Sequence, residues 1–582
     1  STPSGGGKHL VTDYEIDSQG RTTQQLGPSH TIDLGGTATE VRRARWTVYK
    51  DAEHATWTAS GYATGAGPAY TYTLINPVNI IQRDARGNTL EQIQVPRGST
   101  SGRLEPTDAF SQASFTSWIT YQYTDCCLVS SMRVYHTIPS SGEGSSGTNY
   151  DQTTYGYDSR KRRNMEVSPG GTITSHVLDV RSNVVATYVG TNDTGATASD
   201  PTGGGASGNN MVQVSASVFD EGNDGGDNNL TSRTAYVDGV NTRSTTFTYD
   251  WRNRRVDTNG EFDAFSRVTY DNLNRVIQSD RYDTSAAGNL VARNQTKYDN
   301  LGRVYQFVRY EVDPSTGTVG NPISSNSWFD ASGNPVKSTP GGSGRFRKQA
   351  FDGTGWMTHV YEGFGNDTTY ADALNVTGDV ILSQTDMVYD DAGNTIQTTT
   401  RQRYHNAPAA QTGELGSPSV TPNARLQFSA NYPDAIGRTI ASAAYGTNGG
   451  SSFSRSATIP SSSDTILVSQ QIYDSAGRLK DSMDPAGKIS RTLYDAAGRQ
   501  TETIDNVVDP PASSSSGTAC TASDDQNQTT QFAYTPDGDL KTLTAVNSST
   551  GNQVTQYVYG TTLSDSAVAS SQLLRREIYP DS

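Results

Sequence analysis

A carboxylate and a guanidinium four residues apart, led by a phenol and separated by a glycine, are the groups in this 582-residue chain whose types and spacing invite chemistry. "YDSAGR" supplies them as Tyr473, Asp474, Gly477 and Arg478, and "YDAAGR" supplies them again 21 residues later as Tyr494, Asp495, Gly498 and Arg499. Such a set can exchange a proton, grip an anion or pair with itself. Recurrence decides between these. The same word returns at Tyr249 and Asp250, at Tyr270, Asp271 and Arg275, at Tyr298, Asp299, Gly302 and Arg303, and at Tyr389, Asp390 and Gly393. A further clear copy begins at Phe329, and looser copies begin at Ile16, Arg83, Tyr157, Phe262, Phe351, Tyr432 and Tyr534. A catalyst needs one constellation, whereas a word repeated along most of a chain punctuates a repeated unit. These residues are expected to build turns and to perform no reaction.

The other reactive groups form no second constellation. Seven histidines are scattered without His-x-x-x-His spacing, and there is no G-x-S-x-G elbow and no glycine loop leading into a helix to cradle phosphate. Cys126, Cys127 and Cys520 are too few for a disulfide framework or a multi-cysteine zinc site, although one long-range bridge to Cys520 stays open. The acidic loop "DEGNDGGDNN" offers Asp220, Asp224 and Asp227 as calcium candidates, at a spacing unlike that of an EF-hand. Sequons stand at Asn192, Asn229, Asn294, Asn366, Asn375, Asn527 and Asn547 as candidate glycan sites. No cofactor is expected, and the chain reads as a non-enzyme.

Composition narrows the partners. A net charge of -15 repels a phosphate backbone, and the basic runs are short; "RKRR" at 160–163 and "WRNRR" at 251–255 each stand beside a Tyr-Asp pair and read as exposed turn residues, so nucleic acid is not expected. Nine lysines against 36 arginines point to a use for the planar fork, which grips carboxylates and stacks on rings. No run approaches 18 consecutive apolar residues, so no membrane span is expected. The chain starts at Ser1 with no charged-then-apolar leader, and is expected to be a piece of a longer polypeptide.

The elements that must position the words are strands. From Asp250 through Asp271, Asp299, Asp330, Asp352, Asp390, Asp434, Asp474 and Asp495 most spacings lie near 21 residues or its double, the length of one hairpin. Within each word Asp can bond the backbone two residues on and Gly or Asn takes the positive-φ position; a β-branched or apolar run follows. Alternation outside the turns, as in "TTFTYD", agrees, and no long amphipathic helix pattern exists. Polar inserts at about 137–150, 189–211, 220–229, 402–423, 445–464 and 507–528 read as loops at strand ends, since the repeat resumes after each. "MDPAGK", around Asp484 to Lys488, reads as the opposite turn of one hairpin. The chain divides by motif density into a strand-rich section with degenerate repeats, 1–150, and a repeat strip, 151–582.

These words resemble the signature of the YD-repeat or RHS family, Tyr-Asp-x-x-Gly-Arg, departing from it with Lys161, Asn253 and Asn274 at the glycine position and with Asn334 and Asn394 at the arginine position. The resemblance implies an all-β strip of antiparallel hairpins coiled into a spiral or solenoid-like shell, in bacterial members often a hollow one around a toxic C-terminal segment. It implies that repeated tyrosines stack on one another while Asp and Arg pair across or between turns. The first functional expectation is an extracellular or cell-surface scaffold, adhesive or filament-forming, that self-associates through sheet edges or termini. Alternatives are the shell of a toxin-delivery protein and a surface protein that binds glycans. "MDPAGK" also resembles the element near the self-cleaving end of such shells, but sits between two ordinary repeats.

Overall fold

The computed structural model describes residues 10–67, 69–124, 127–223, 225–261, 264–365, 367, 369–508, 525–547 and 550–580. Among them 36 strands follow one another from Asp13–Ile16 to Ser570–Ile578, and every strand pairs antiparallel with the next, so the chain is one uninterrupted meander. The all-β expectation is met. One short α-helix, Tyr370–Ala373, is held by a capping box in which Thr369 and Asp372 exchange side-chain to backbone hydrogen bonds.

A meander has two edges, and nearly all the sequence words fall on one of them. They close junctions from an odd-numbered to an even-numbered strand: Asp474 joins Leu467–Tyr473 to Leu479–Met483, and Asp495 joins Ile489–Tyr494 to Gln500–Asp505. The copy read from Phe262, whose first two residues lie outside the described residues, is the exception: it falls between the 16th strand, Arg255–Asn259, and the 17th, Phe265–Tyr270, on the opposite edge. The opposite edge carries most of the long inserts, including the connections 191–211, 404–423 and 447–466. Asp484–Lys488 also lies there, between Leu479–Met483 and Ile489–Tyr494, where the Asp484 amide donates to the Lys488 carbonyl at 2.9 Å. Sequestering inserts on one edge leaves the other regular.

Strand pairing runs across residue 150 without a break, because Tyr150–Tyr157 pairs with Val129–Tyr135 on one side and Arg163–Val167 on the other. The first nine strands differ in core instead. Trp46, Trp57, Trp118, Tyr135 and Tyr150 form the largest buried cluster, and Phe110 and Phe115 from the connection after Thr89–Val95 pack onto it. Trp118 stacks on Tyr135 at 4.0 Å, and the buried Trp46 indole donates to Gln24 Oε1 at 2.8 Å. Gly61 makes this fit: a Cβ there would lie 2.2 Å from the Thr73 carbonyl and 2.7 Å from the Trp46 ring.

The ribbon coils on itself. Arg43 on the third strand, Thr37–Lys50, donates to Asn394 Oδ1 at 3.1 Å, in the turn that follows the 25th strand, Val380–Tyr389. Arg499, in the turn after the 31st strand, reaches Asp151 on the ninth at 3.3 Å, and the Ala496 amide donates to the His136 carbonyl. Both contacts span 22 strands, from the third to the 25th and from the ninth to the 31st. Further along, the Gly170 amide donates to Asp537 Oδ1 at 2.7 Å and the Ser571 amide to Thr172 Oγ1 at 2.7 Å. These contacts join the word edge of the later turn to the insert-edge side of the earlier one, and the insert 447–466 adds the Ile459 amide, which donates to Asp33 Oδ2 at 2.6 Å. Ala435, inside a word, is buried in it against Ile32, Val41 and Tyr62.

Candidate functional site: the turn ladder

Each word satisfies its own turn. One oxygen of Asp474 accepts the amides of Ala476 and Arg478, at 2.9 and 2.8 Å; the other accepts Arg478 Nε at 2.8 Å, and Gly477 closes the turn at φ +80° by donating to the Asp474 carbonyl. The same set recurs at Asp250 with Arg254, Asp271 with Arg275, Asp299 with Arg303, Asp434 with Arg438, and Asp495 with Arg499, each with the Nε contact at 2.7–2.8 Å. Position and chemistry match, because an L-residue at positive φ is strained and glycine is not. Asn253 and Asn274 take the left-handed conformation at φ +59° and +63°, and so does Lys161 at +64°.

Each word also grips the next, and here the expected pairing is corrected. Among the described residues the word tyrosines meet arginines and not one another, and Asp and Arg pair mainly within a turn, with Arg21 to Asp51 and Arg181 to Asp220 joining adjacent turns. The link is the arginine's far end: the Arg478 guanidinium lies 4.7 Å over the Tyr494 ring while its Nη1 donates to the Asp495 carbonyl at 2.8 Å, and the Tyr494 hydroxyl donates back to the Leu479 carbonyl at 2.9 Å. Arg254 over Tyr270, Arg275 over Tyr298, Arg303 over Phe329, Arg438 over Tyr473 and Arg499 over Tyr534 repeat it at 4.3–5.0 Å. Only a planar fork can serve the carboxylate with one nitrogen, a carbonyl with another and a ring with its face, which accounts for the bias towards arginine. Where Asn stands instead, as at Asn334 and Asn394, Nδ2 satisfies the Asp carboxylate at 2.9 and 2.7 Å but has no reach to the neighbouring word. In the word before Tyr389, Trp356 holds the arginine position, and its ring meets Tyr389 with centroids 5.4 Å apart.

Arg478→Lys therefore keeps the charge and loses the fork. Expected is a loss of about 1 kcal/mol, the size of one cation–π contact plus one partly exposed hydrogen bond, read as a lower denaturation midpoint with unchanged far-UV circular dichroism; a midpoint equal to wild type removes the ladder from the stability account.

The ladder is pH-sensitive. Hydrogen bonds from the Arg254 side chain and then its backbone amide hold the Asp250 carboxyl below the ordinary range; at Asp271 the Arg275 amide contributes most, followed by its side chain. A carboxyl lowered in the folded state adds stability above its unfolded pKa and loses it as pH falls through the folded value. The unfolding midpoint should be flat from about pH 8 to 5 and drop below about pH 4. Asp151, raised by burial, works in the opposite sense. A midpoint that rises on acidification below that point contradicts the ladder.

A second set of pairs escaped sequence reading. On the insert-edge side, Asp257 faces Arg267, Asp280 faces Arg293 and Asp481 faces Arg491, each directly opposite across a hairpin and each bidentate at 2.6–2.9 Å. Their signal was an Asp and an Arg equidistant from the turn opposite the word.

The remaining candidates disperse. Asp220 spends its oxygens on the amides of Asn228 and Asn229 and on Arg181, at 2.8–2.9 Å, and no group of three or more His, Cys, Asp or Glu among the described residues could hold a metal. Asp227 lies nearby in the same loop, while Asp224 falls outside the described residues. Asn192, Asn375 and Asn547 are exposed, Asn229, Asn294 and Asn527 are half-buried, and Asn366 lies outside the described residues, as do Cys126, Cys520 and the terminal "STPSGGG". Cys127 is a free thiol with Arg86 Nη1 3.4 Å from its sulfur. Among the described residues no helix is long and apolar enough to cross a membrane.

The fold and ladder together define a class, the single-sheet hairpin-repeat ribbon. Residues 473–506, the two words from which the pattern is clearest, match the family model "RHS Repeat". No curated protein matches. Similar solved structures include the TcdB2-TccC3-Cdc42 structure, at 12% identity and TM-score 0.33 over 93% of this chain and 30% of that one. TcdB2-TccC3 without its hypervariable C-terminal region follows at 10% and 0.28, over 94% and 30%. A Tc holotoxin pore of Photorhabdus luminescens gives 10% and 0.22, over 97% and 34%. This chain spans about a third of the length of those chains. At such scores the fold rests on its own strand pairing.

Proposed function

We propose that the chain is a stretch of the wall of a hollow, non-enzymatic RHS-type shell, outside the cell, that surrounds a cargo. The observation that carries this reading is the seam: one edge of the ribbon closes against the other 22 strands later, so successive turns stack into a continuous wall. At ~4.8 Å per strand, 22 strands make a circumference of about 105 Å and a width of about 34 Å. Barrels of 16–18 strands already leave a channel, and side chains cannot fill a wider bore. The wall works passively, by excluding what is outside from what is inside, and the ladder supplies its rigidity.

The filament-forming surface scaffold uses the same ribbon but demands free edges for strand addition. Its support is the strand Ser570–Ile578, which among the described residues pairs with Gln553–Thr561 alone and exposes Leu573 and Leu574. Glycan binding has only the exposed aromatic residues, such as Trp251, behind it. Electron microscopy of the purified chain separates these readings. Curved walls around a lumen of about the stated width are expected; solid particles or concentration-dependent filaments overturn the shell.

A further inference from the structure

Two lysines and two aspartates meet out of reach of water beneath the connection between strands Met357–Phe364 and Val380–Tyr389. Lys348 and Asp379 are 2% and 1% exposed. Lys348 Nζ lies 2.6 Å from Asp379 Oδ2 and 2.6 Å from Asp367 Oδ2, and donates to the carbonyls of Asp372 and Asn375, both at 2.7 Å. The Phe346 ring lies 4.7 Å from the same nitrogen. Lys337 Nζ reaches Asp367 Oδ2 at 2.6 Å from the other side, over the Trp328 ring. The two carboxyls thus converge on the one Lys348 ammonium. Ion-pair networks buried this deeply gain little stability over apolar side chains of the same volume, so stability alone is a weak reason to keep this one.

We propose that Lys348 and Asp379 condense into an intramolecular amide bond, with Asp367 as the proton relay. The Lys348 ammonium gives a proton to the Asp367 carboxylate and becomes a neutral amine. Its two remaining N–H bonds are the two that the Asp372 and Asn375 carbonyls accept, which turns the lone pair towards the carboxyls. Nζ attacks Cγ of protonated Asp379, forming the C–N bond. Asp367 returns its proton to the departing hydroxyl, which leaves as water, and takes the surplus proton from nitrogen. One water is lost, one proton ends on Asp367, and no outside reactant is consumed. Burial raises the Asp379 carboxyl, which favours the protonated electrophile; Asp367, also penalised by burial, is held down by hydrogen bonds from Lys337 and then Lys348, as a relay starting as carboxylate requires. Lys337, outside the bond, keeps that carboxylate neutralised. The bond would staple strand Arg345–Phe351 to the start of Val380–Tyr389, closing a span of 31 residues.

Mass spectrometry of the intact chain tests this. The wild type should be lighter than its sequence by one water, resist tryptic cleavage after Lys348, and yield a branched peptide joining Lys348 to Asp379. Lys348→Met and Asp379→Ala should return the full mass, as should Asp367→Asn, which retains both bond-forming residues; circular dichroism checks that each variant keeps its sheet. A wild type of full mass that trypsin cleaves after Lys348 overturns the proposal. So does a lost water without the branched peptide, which is an aspartyl imide, or a branch at Lys337. A bond that still forms in Asp367→Asn overturns the relay.

Discussion

Asp481→Ala is expected to lower the stability of the sheet by about 3–5 kcal/mol, because it leaves the Arg491 guanidinium buried and unpaired. Both residues are more than nine-tenths buried, and Arg491 Nε and Nη2 reach the two carboxylate oxygens at 2.6 and 2.9 Å across neighbouring strands. Removing both charges tells a different story. Asp481→Ala combined with Arg491→Met should recover most of the loss, since the cost lies in the orphaned charge and not in the missing pair. A double-mutant cycle by chemical denaturation measures this. If the double variant is as unstable as the single one, the bidentate pair itself stabilises the hairpin and the desolvation account fails.

Ala435→Arg attacks the seam. The side chain is 2% exposed, sits in a word of the later turn and packs against Ile32, Val41 and Tyr62 of the earlier one. A buried, unpartnered guanidinium there costs on the order of 3–5 kcal/mol. The hairpins of either turn do not depend on this contact, so the strands should persist while the turns part. Expected are an unchanged far-UV spectrum, a larger hydrodynamic radius and new tryptic cleavage on both seam edges, whereas Arg478→Lys changes none of these. An unaltered radius with full protease protection shows that the seam does not hold the coil.

The words were legible in the sequence because every determinant of a turn is local. Asp474 finds the Ala476 and Arg478 amides two and four residues on, Gly477 alone tolerates its φ without strain, and alternation such as "TTFTYD" dictates strands on both sides. The partner of Tyr494 was not legible. Its ring could have met another tyrosine at the same spacing, and which face of a neighbouring hairpin it touches is set by cross-strand register. Asp481 and Arg491 were overlooked for the same reason, as they flank the turn opposite the word. Lys348 and Asp379 were invisible as a pair, because an inserted loop, and not the repeat, brings them together.

Sequence alone determined an all-β chain of hairpins punctuated by structural Asp words, since turn chemistry and strand alternation act over a few residues. Only the tertiary structure decided that nearly all the words share one edge, that this edge meets the opposite one 22 strands later, and which charges are buried. Those facts follow from the twist summed over many strands and from which inserts fold inward, and no short stretch of residues encodes either.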